Sequence, residues 1–108
     1  MTPRLALYVP RREDMWFRRE MLLNPETMSY NANWDVDFPG YDRDTGCIEY
    51  TPEQEEKWYS RYIGNEPARY FAYVRRIADG RFVGDVCFHH NPREDRWDME
   101  VLIHAPYR

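Results

Sequence analysis

Five ionisable side chains sit close together near one end of the chain, at the spacing of strand residues: Asp85, His89, Asp98, Glu100 and His104. Residues two apart in a strand point to the same face. Asp85, Cys87 and His89 therefore share one side of one strand, and Asp98, Glu100, Leu102 and His104 share one side of the next. If "PRED" (92–95) is a four-residue turn, His89 lies opposite Asp98 and Cys87 lies opposite Glu100. A carboxylate on a partly apolar sheet face is poorly solvated, so its pKa rises and it becomes a competent general base. The plain alternative is that these groups form cross-strand pairs on a partly wet face.

Other chemistry fits the residues less well. Cys87, His89, His90, Asp98 and His104 are metal-ligand types, but the chain has neither a CxxC nor an HExxH spacing. Strand positions two apart chelate only with help from a neighbouring strand. Cys47 and Cys87 are weak candidates for a nucleophile, because a free cysteine more often serves as a small buried hydrophobe. No complete Gly-rich phosphate loop is present.

The elements that must position these groups follow from patterning. "RLALYV" (4–9) reads as a buried first strand that Pro10 closes, and Pro10 can also open a helix. Residues 10–23 then place Met15, Trp16, Leu22 and Leu23 on one arc, as an amphipathic helix would. "NPET" stops that helix. Residues 24–50 have no clear period and read as a long loop, whose Tyr30, Trp34, Phe38 and Tyr41 favour an ordered excursion over a disordered one. In "TPEQEEKWYSRYIGN", Thr51 caps a helix over 52–64, Pro52 sits in its first turn, and Gln54 completes a capping box. Trp58, Tyr59, Tyr62 and Ile63 form its buried stripe.

From residue 68 the period becomes two. Strands over 68–77, 81–90 and 96–104 form an antiparallel meander joined at Asp79-Gly80 and at 92–95. If Asp79-Gly80 is a two-residue turn, Phe71 faces Phe88 and Tyr73 faces Val86. Those four would then share a face opposite Asp85, Cys87 and His89.

Length and charge bound the rest. A chain of 108 residues makes one domain with a modest core. A 17% aromatic content argues against disorder. The net charge of −4 is wrong for a nucleic-acid binder, and no apolar run approaches the ~20 residues of a membrane span. The N-terminal apolar stretch is too short for a secretory signal. Two cysteines forty residues apart read as reduced thiols in a cytoplasmic protein.

The stretches "NPETMSYN", "DFPG", "EQEEKWYSRYI", "DGRFVGDVCFHH" and "MEVLIHAPYR", in the order strand, helix, long loop, helix and three-strand meander, resemble the N-terminal portion of the Gcn5-related N-acetyltransferase (GNAT) superfamily. The similarity runs along the chain and covers the first two-thirds or so of that family's domain. It implies an α+β acyl-CoA N-acyltransferase fold, truncated to β-α-(long loop)-α-β-β-β. It also implies acetyl-CoA as cofactor, with the backbone at Leu102 and Ile103 pairing with the pantetheine arm. Arg108 matches the first residue of the pyrophosphate loop, and the loop's glycines do not follow, so turnover by this chain alone is not expected.

The resemblance makes Asp98 the first choice of general base and Glu100 the second. Tyr30, Asn31, Trp34 and Tyr41 would line the site for an amine-bearing small molecule or peptide. The rival is a non-catalytic module that self-associates through the edge strand 96–104, since an unpaired strand recruits other chains.

Overall fold

The computed structural model describes residues 3–108. Four strands form one antiparallel sheet in sequence order: β1 (Leu5–Tyr8), β2 (Arg69–Arg76), β3 (Phe82–Asn91) and β4 (Arg96–Ile103). The helices are α1 (Met15–Leu22), the one-turn α2 (Pro25–Met28) and α3 (Pro52–Tyr62). Helices α1 and α3 cover one face of the sheet, where Met15, Phe17 and Met21 meet Phe71, Tyr73 and Cys87, with Trp58, Tyr59 and Tyr62 packed around them. On the other face Leu7, Trp97, Met99 and Val101 remain 54–63% exposed.

Helix α1 is shorter than the 10–23 expected. Asp14 accepts hydrogen bonds from the Arg11 N–H (2.9 Å) and the Tyr8 hydroxyl (2.7 Å), and these fix residues 11–14 as a tight turn ahead of the helix. The buried arc is correspondingly Met15, Phe17, Met21 and Leu22, leaving Trp16 and Leu23 half exposed. Pro25 ends α1 and at once begins α2, whose first amides donate to the Asn24 side chain. Strand β1 is a sheet edge and not a buried strand, and Leu5 and Leu7 are open to solvent.

The 24–50 segment is not structureless. After α2 a 3-10 turn (Ser29–Asn31) follows, and an isolated antiparallel bridge joins Tyr41 to Ile48. Leu22, Met28 and Ile48 form a second small core, with Phe38 stacked on Tyr41 beside it. Helix α3 begins with the capping box read from sequence: the Gln54 N–H donates to the Thr51 hydroxyl, and the Thr51 N–H donates to the Gln54 side chain.

The β3–β4 register is the one that the four-residue turn predicts, with His89 opposite Asp98 and Cys87 opposite Glu100. The β2–β3 register differs by one residue. Phe71 faces Cys87 and Tyr73 faces Asp85, whereas Phe88 and Val86 stand opposite Tyr70 and Ala72. The cause is the connection, which closes with the Arg76 N–H donating to the Arg81 carbonyl (2.8 Å) around four residues rather than two. A bulge at Val74/Arg75 then takes back half of the change. A one-residue slip exchanges the faces. Phe71 and Tyr73 consequently share the helix-covered face with Asp85, Cys87 and Glu100.

Candidate functional site

The slip determines what surrounds Asp85. On the helix-covered face, cross-strand rows run Tyr73–Asp85–Leu102, then Phe71–Cys87–Glu100, then Arg69–His89–Asp98. The first row lies deepest, under α1 and α3. Over the first two rows opens a cleft of about 520 Å³. Arg18 of α1 and Trp58 of α3 line one wall. Tyr30, Asn31 and Trp34 line the wall supplied by the 24–50 segment.

Asp85 lies half-buried on the floor of the cleft. Burial pushes its carboxyl up to about 7, and neighbouring Glu100 adds to the rise while Arg18 partly opposes it. Burial, then Asp85 and Glu100, also raise the Tyr30 hydroxyl, although 68% of that residue's surface remains exposed. Cys87 lies between the two carboxylates, and burial pushes its thiol up to about 11. A thiol of that pKa stays protonated at neutral pH and is no nucleophile. Among the described residues no group of His, Cys, Asp and Glu converges to hold a metal ion.

Arg18 lies flat over the Trp58 ring, with its guanidinium carbon 3.7 Å from the centroid, and is 5.3 Å from the centre of Tyr50. Its backbone N–H donates to the buried Tyr73 hydroxyl, which in turn donates to the Asp14 carbonyl (2.9 Å), and this anchors the helix turn from which the side chain leaves.

The residues singled out from sequence divide into several groups. Glu100 and Leu102 line the cleft, as do Tyr30, Asn31 and Trp34. Asp98 lies one row further out, where it accepts from the Arg96 guanidinium (3.0 Å) and faces His89 Nε2 at 3.5 Å. Tyr41 is a tie within the loop: its hydroxyl donates to the Asn31 carbonyl (2.6 Å) and accepts from the Trp34 N–H (3.1 Å). Asn31 adds a bond from its side-chain amide to the Gly46 carbonyl.

The backbone at the end of β4 can be followed from one bond. The His104 N–H donates to the Val83 carbonyl. Alternation along an antiparallel pair then turns the N–H and C=O of residue 102 toward β3, and those of 101 and 103 toward the free edge. The Arg108 guanidinium takes the Ile103 carbonyl (3.0 Å) and reaches the Glu26 and Thr27 carbonyls (3.4 Å each). Val101 is thus left with both backbone groups at the outer edge, beside the cleft.

His104 is only 2% exposed. Its Nδ1 lies 2.7 Å from the Thr27 hydroxyl, its Nε2 lies 3.3 Å from Glu20, and the same hydroxyl accepts from the Ala105 N–H. The arrangement resembles a nucleophile–histidine–acid relay, but Thr27 is fully buried, so no substrate can reach it. It serves as a clasp between α2 and the residues following β4.

No family model matches the chain, and no curated protein matches it in sequence. Among solved structures, a spermidine N-acetyltransferase SpeG chimera from Vibrio cholerae and hSSAT superposes with a TM-score of 0.59 at 16% identity. The chain shares the fold of an N-acetyltransferase. The match takes in 97% of this chain and 54% of that one, so the chain spans about half the length of that neighbour. At this identity the likeness concerns the fold alone. The resemblance points to Asp98 and Glu100 and passes over Asp85, although strand spacing sets Asp85 on one face with Cys87 and His89. Only the β2–β3 register could have singled it out. Trp58 reads in the sequence as part of the buried stripe of its helix.

Proposed function

We propose that the chain carries the acceptor side of an acetyl-CoA-dependent N-acetyltransferase site. The observation that carries this reading is the half-buried Asp85 carboxylate, with its proton affinity raised to about 7, at the bottom of an aromatic cleft in an N-acetyltransferase fold. Acetyl-CoA, when bound, supplies an acyl thioester that a neutral amine can attack. The chain's own residues prepare that amine.

An ammonium entering the cleft pairs with Asp85, with Glu100 at the rim. Its proton passes to an Asp85 oxygen, leaving the nitrogen lone pair free. From an amine of pKa ~10.4, that transfer is uphill by about 5 kcal/mol, against about 9 kcal/mol to an ordinary aspartate. Asp98 is engaged by His89 and Arg96 one row further out, which leaves Asp85 and Glu100 as the carboxylates that face the cleft.

For the cofactor, the outward N–H and C=O of Val101 suit an extended amide arm, whereas the Ile103 carbonyl is already taken by Arg108. The reading expects acetyl-CoA to bind along this edge. Calorimetric titration with acetyl-CoA tests it, together with an assay for thiol release in the presence of amines. A folded chain that gives no heat with acetyl-CoA would remove the cofactor from the reading, and thiol release that depends on an added amine and is lost in Asp85→Asn would support it.

A second reading rests on the sheet edge. Among the described residues strand β4 has a neighbour on one side only, and exposed Trp97, Met99 and Val101 project from it. A strand of this kind recruits another chain, which favours a non-catalytic module that self-associates through residues 96–104.

A further inference from the structure

Two oppositely charged side chains face the same cleft without satisfying each other. Arg18 and Asp85 both line it and are both half-buried. They sense each other's charge, since Arg18 draws the Asp85 carboxyl down against the rise that burial causes. Yet neither side chain takes part in any ion pair among the described residues. Arg18 instead spends its flat face on Trp58, leaving its N–H edge without a carboxylate. Charged groups removed from bulk water keep a favourable state only when paired and hydrogen-bonded. Glu100 also lines the cleft without an ion pair, but it is exposed at the rim, where water satisfies it. The half-buried part of the cleft therefore holds one unmatched cation and one unmatched anion, and is complementary to a molecule that carries both charges.

A simple amine suits the cleft poorly. Its ammonium would satisfy Asp85, but Arg18 would stay unmatched and would repel it. A simple carboxylate has the converse defect. The remaining lining selects what lies between and beyond the two charges: Met21, Met28, Ile48 and Phe71 are apolar, and the volume is that of a small-molecule site. We propose that the cleft binds a zwitterionic aminocarboxylate, an amino acid with a large apolar or aromatic side chain. Its ammonium pairs with Asp85, its carboxylate takes the free edge of Arg18, and its side chain lies among Met21, Met28 and Ile48. This assignment rests on the reading of the cleft as an acceptor site and narrows the acceptor to one class. It also separates this chain from its structural neighbour, whose named substrate, spermidine, has no carboxylate.

The test uses the whole chain and four probes: L-phenylalanine, phenethylamine (no carboxylate), 3-phenylpropanoate (no ammonium) and spermidine. Binding is followed by calorimetry and by tryptophan fluorescence, to which Trp34 and Trp58 of the cleft contribute together with Trp16 and Trp97. L-Phenylalanine should bind about tenfold or more tightly than either single-charge analogue, the worth of one charge-assisted hydrogen bond. Arg18→Met should abolish its advantage over phenethylamine, and Asp85→Asn its advantage over 3-phenylpropanoate. Wild-type protein that binds phenethylamine or spermidine as tightly as L-phenylalanine overturns the proposal without recourse to any variant, as does the absence of binding by all four at millimolar concentration. The outcomes also separate this inference from the one beneath it. L-Phenylalanine binding with no response to acetyl-CoA would overturn acyl transfer alone. Acetyl-CoA binding with no discrimination among the probes would overturn the zwitterion alone.

Discussion

Replacing Asp85 with asparagine should stabilise the protein at high pH and do little at low pH. The carboxyl moves from an ordinary value of 3.8 up to about 7 on folding, with burial as the main cause. A folded-state pKa above the unfolded one means that the folded protein holds more protons between about pH 4 and pH 7. Stability from this group is therefore fully present below about pH 4 and is lost as pH rises toward 7. A shift of about three units corresponds to about 4 kcal/mol, an upper bound for a half-buried group that keeps some contact with water. That is a large share of the ~5–15 kcal/mol that holds a domain together. Asparagine has the shape of the protonated acid and no charge at any pH, so the variant escapes the loss. Urea denaturation followed by tryptophan fluorescence, from pH 4 to pH 8.5, gives the difference in stability between variant and wild type. Other titrating groups cancel in that difference, which should grow by up to about 4 kcal/mol across the window. A constant offset would refute the reasoning. So would a variant less stable than wild type at pH 8, because that would show Arg18 to stabilise the ionised carboxylate more than burial penalises it.

Three other perturbations follow from the geometry. Thr27→Val keeps the shape of the residue but leaves His104 Nδ1 and the Ala105 N–H buried without partners; at about 1–3 kcal/mol per orphaned group, denaturation should detect a loss of roughly 2–4 kcal/mol, which Thr27→Ser should largely restore. Gly46→Ala should be much more damaging than Gly80→Ala, although both glycines have φ near +75° (81° and 71°): a Cβ at Gly46 would lie 2.2 Å from the Met28 carbonyl oxygen, whereas Gly80 has open space and should lose only the ~1–2 kcal/mol of the left-handed conformation. If β4 pairs with a second copy, sedimentation should show a concentration-dependent dimer that Met99→Lys weakens, and a wild-type monomer at high micromolar concentration would count against the edge-strand reading.

What sequence and tertiary structure each contributed divides along the range of the interactions. The capping box of Thr51 and Gln54 and the β3–β4 register set by the 92–95 turn are local. Their partners are a few residues apart, so pattern alone identifies them. The order of elements behind the N-acetyltransferase fold is likewise written in the change of period from helix to strand. Glu100, Leu102, Tyr30, Asn31 and Trp34, all of which line the cleft, are brought together in the sequence only by the family resemblance, since no face or spacing links the 24–50 segment to the last strand.

The β2–β3 register is of another kind. A two-residue and a four-residue turn at Asp79-Gly80 are both compatible with the local sequence. The choice falls to packing, with Phe71 meeting Trp58 edge-on at 4.8 Å and Tyr73 meeting Phe17 at 5.2 Å. Long-range burial of these rings outweighs the preference of the turn, and Asp85 is carried into the cleft with them. In the same way, the folding of α1 beside α3 lays Arg18 on Trp58, and Tyr41 becomes a tie in the loop wall only once Asn31 and Trp34 are beside it. The sequence alone named the charges and the rings. Which charge was buried, and opposite which other, was settled by contacts between residues dozens of positions apart, where no local pattern carries the information.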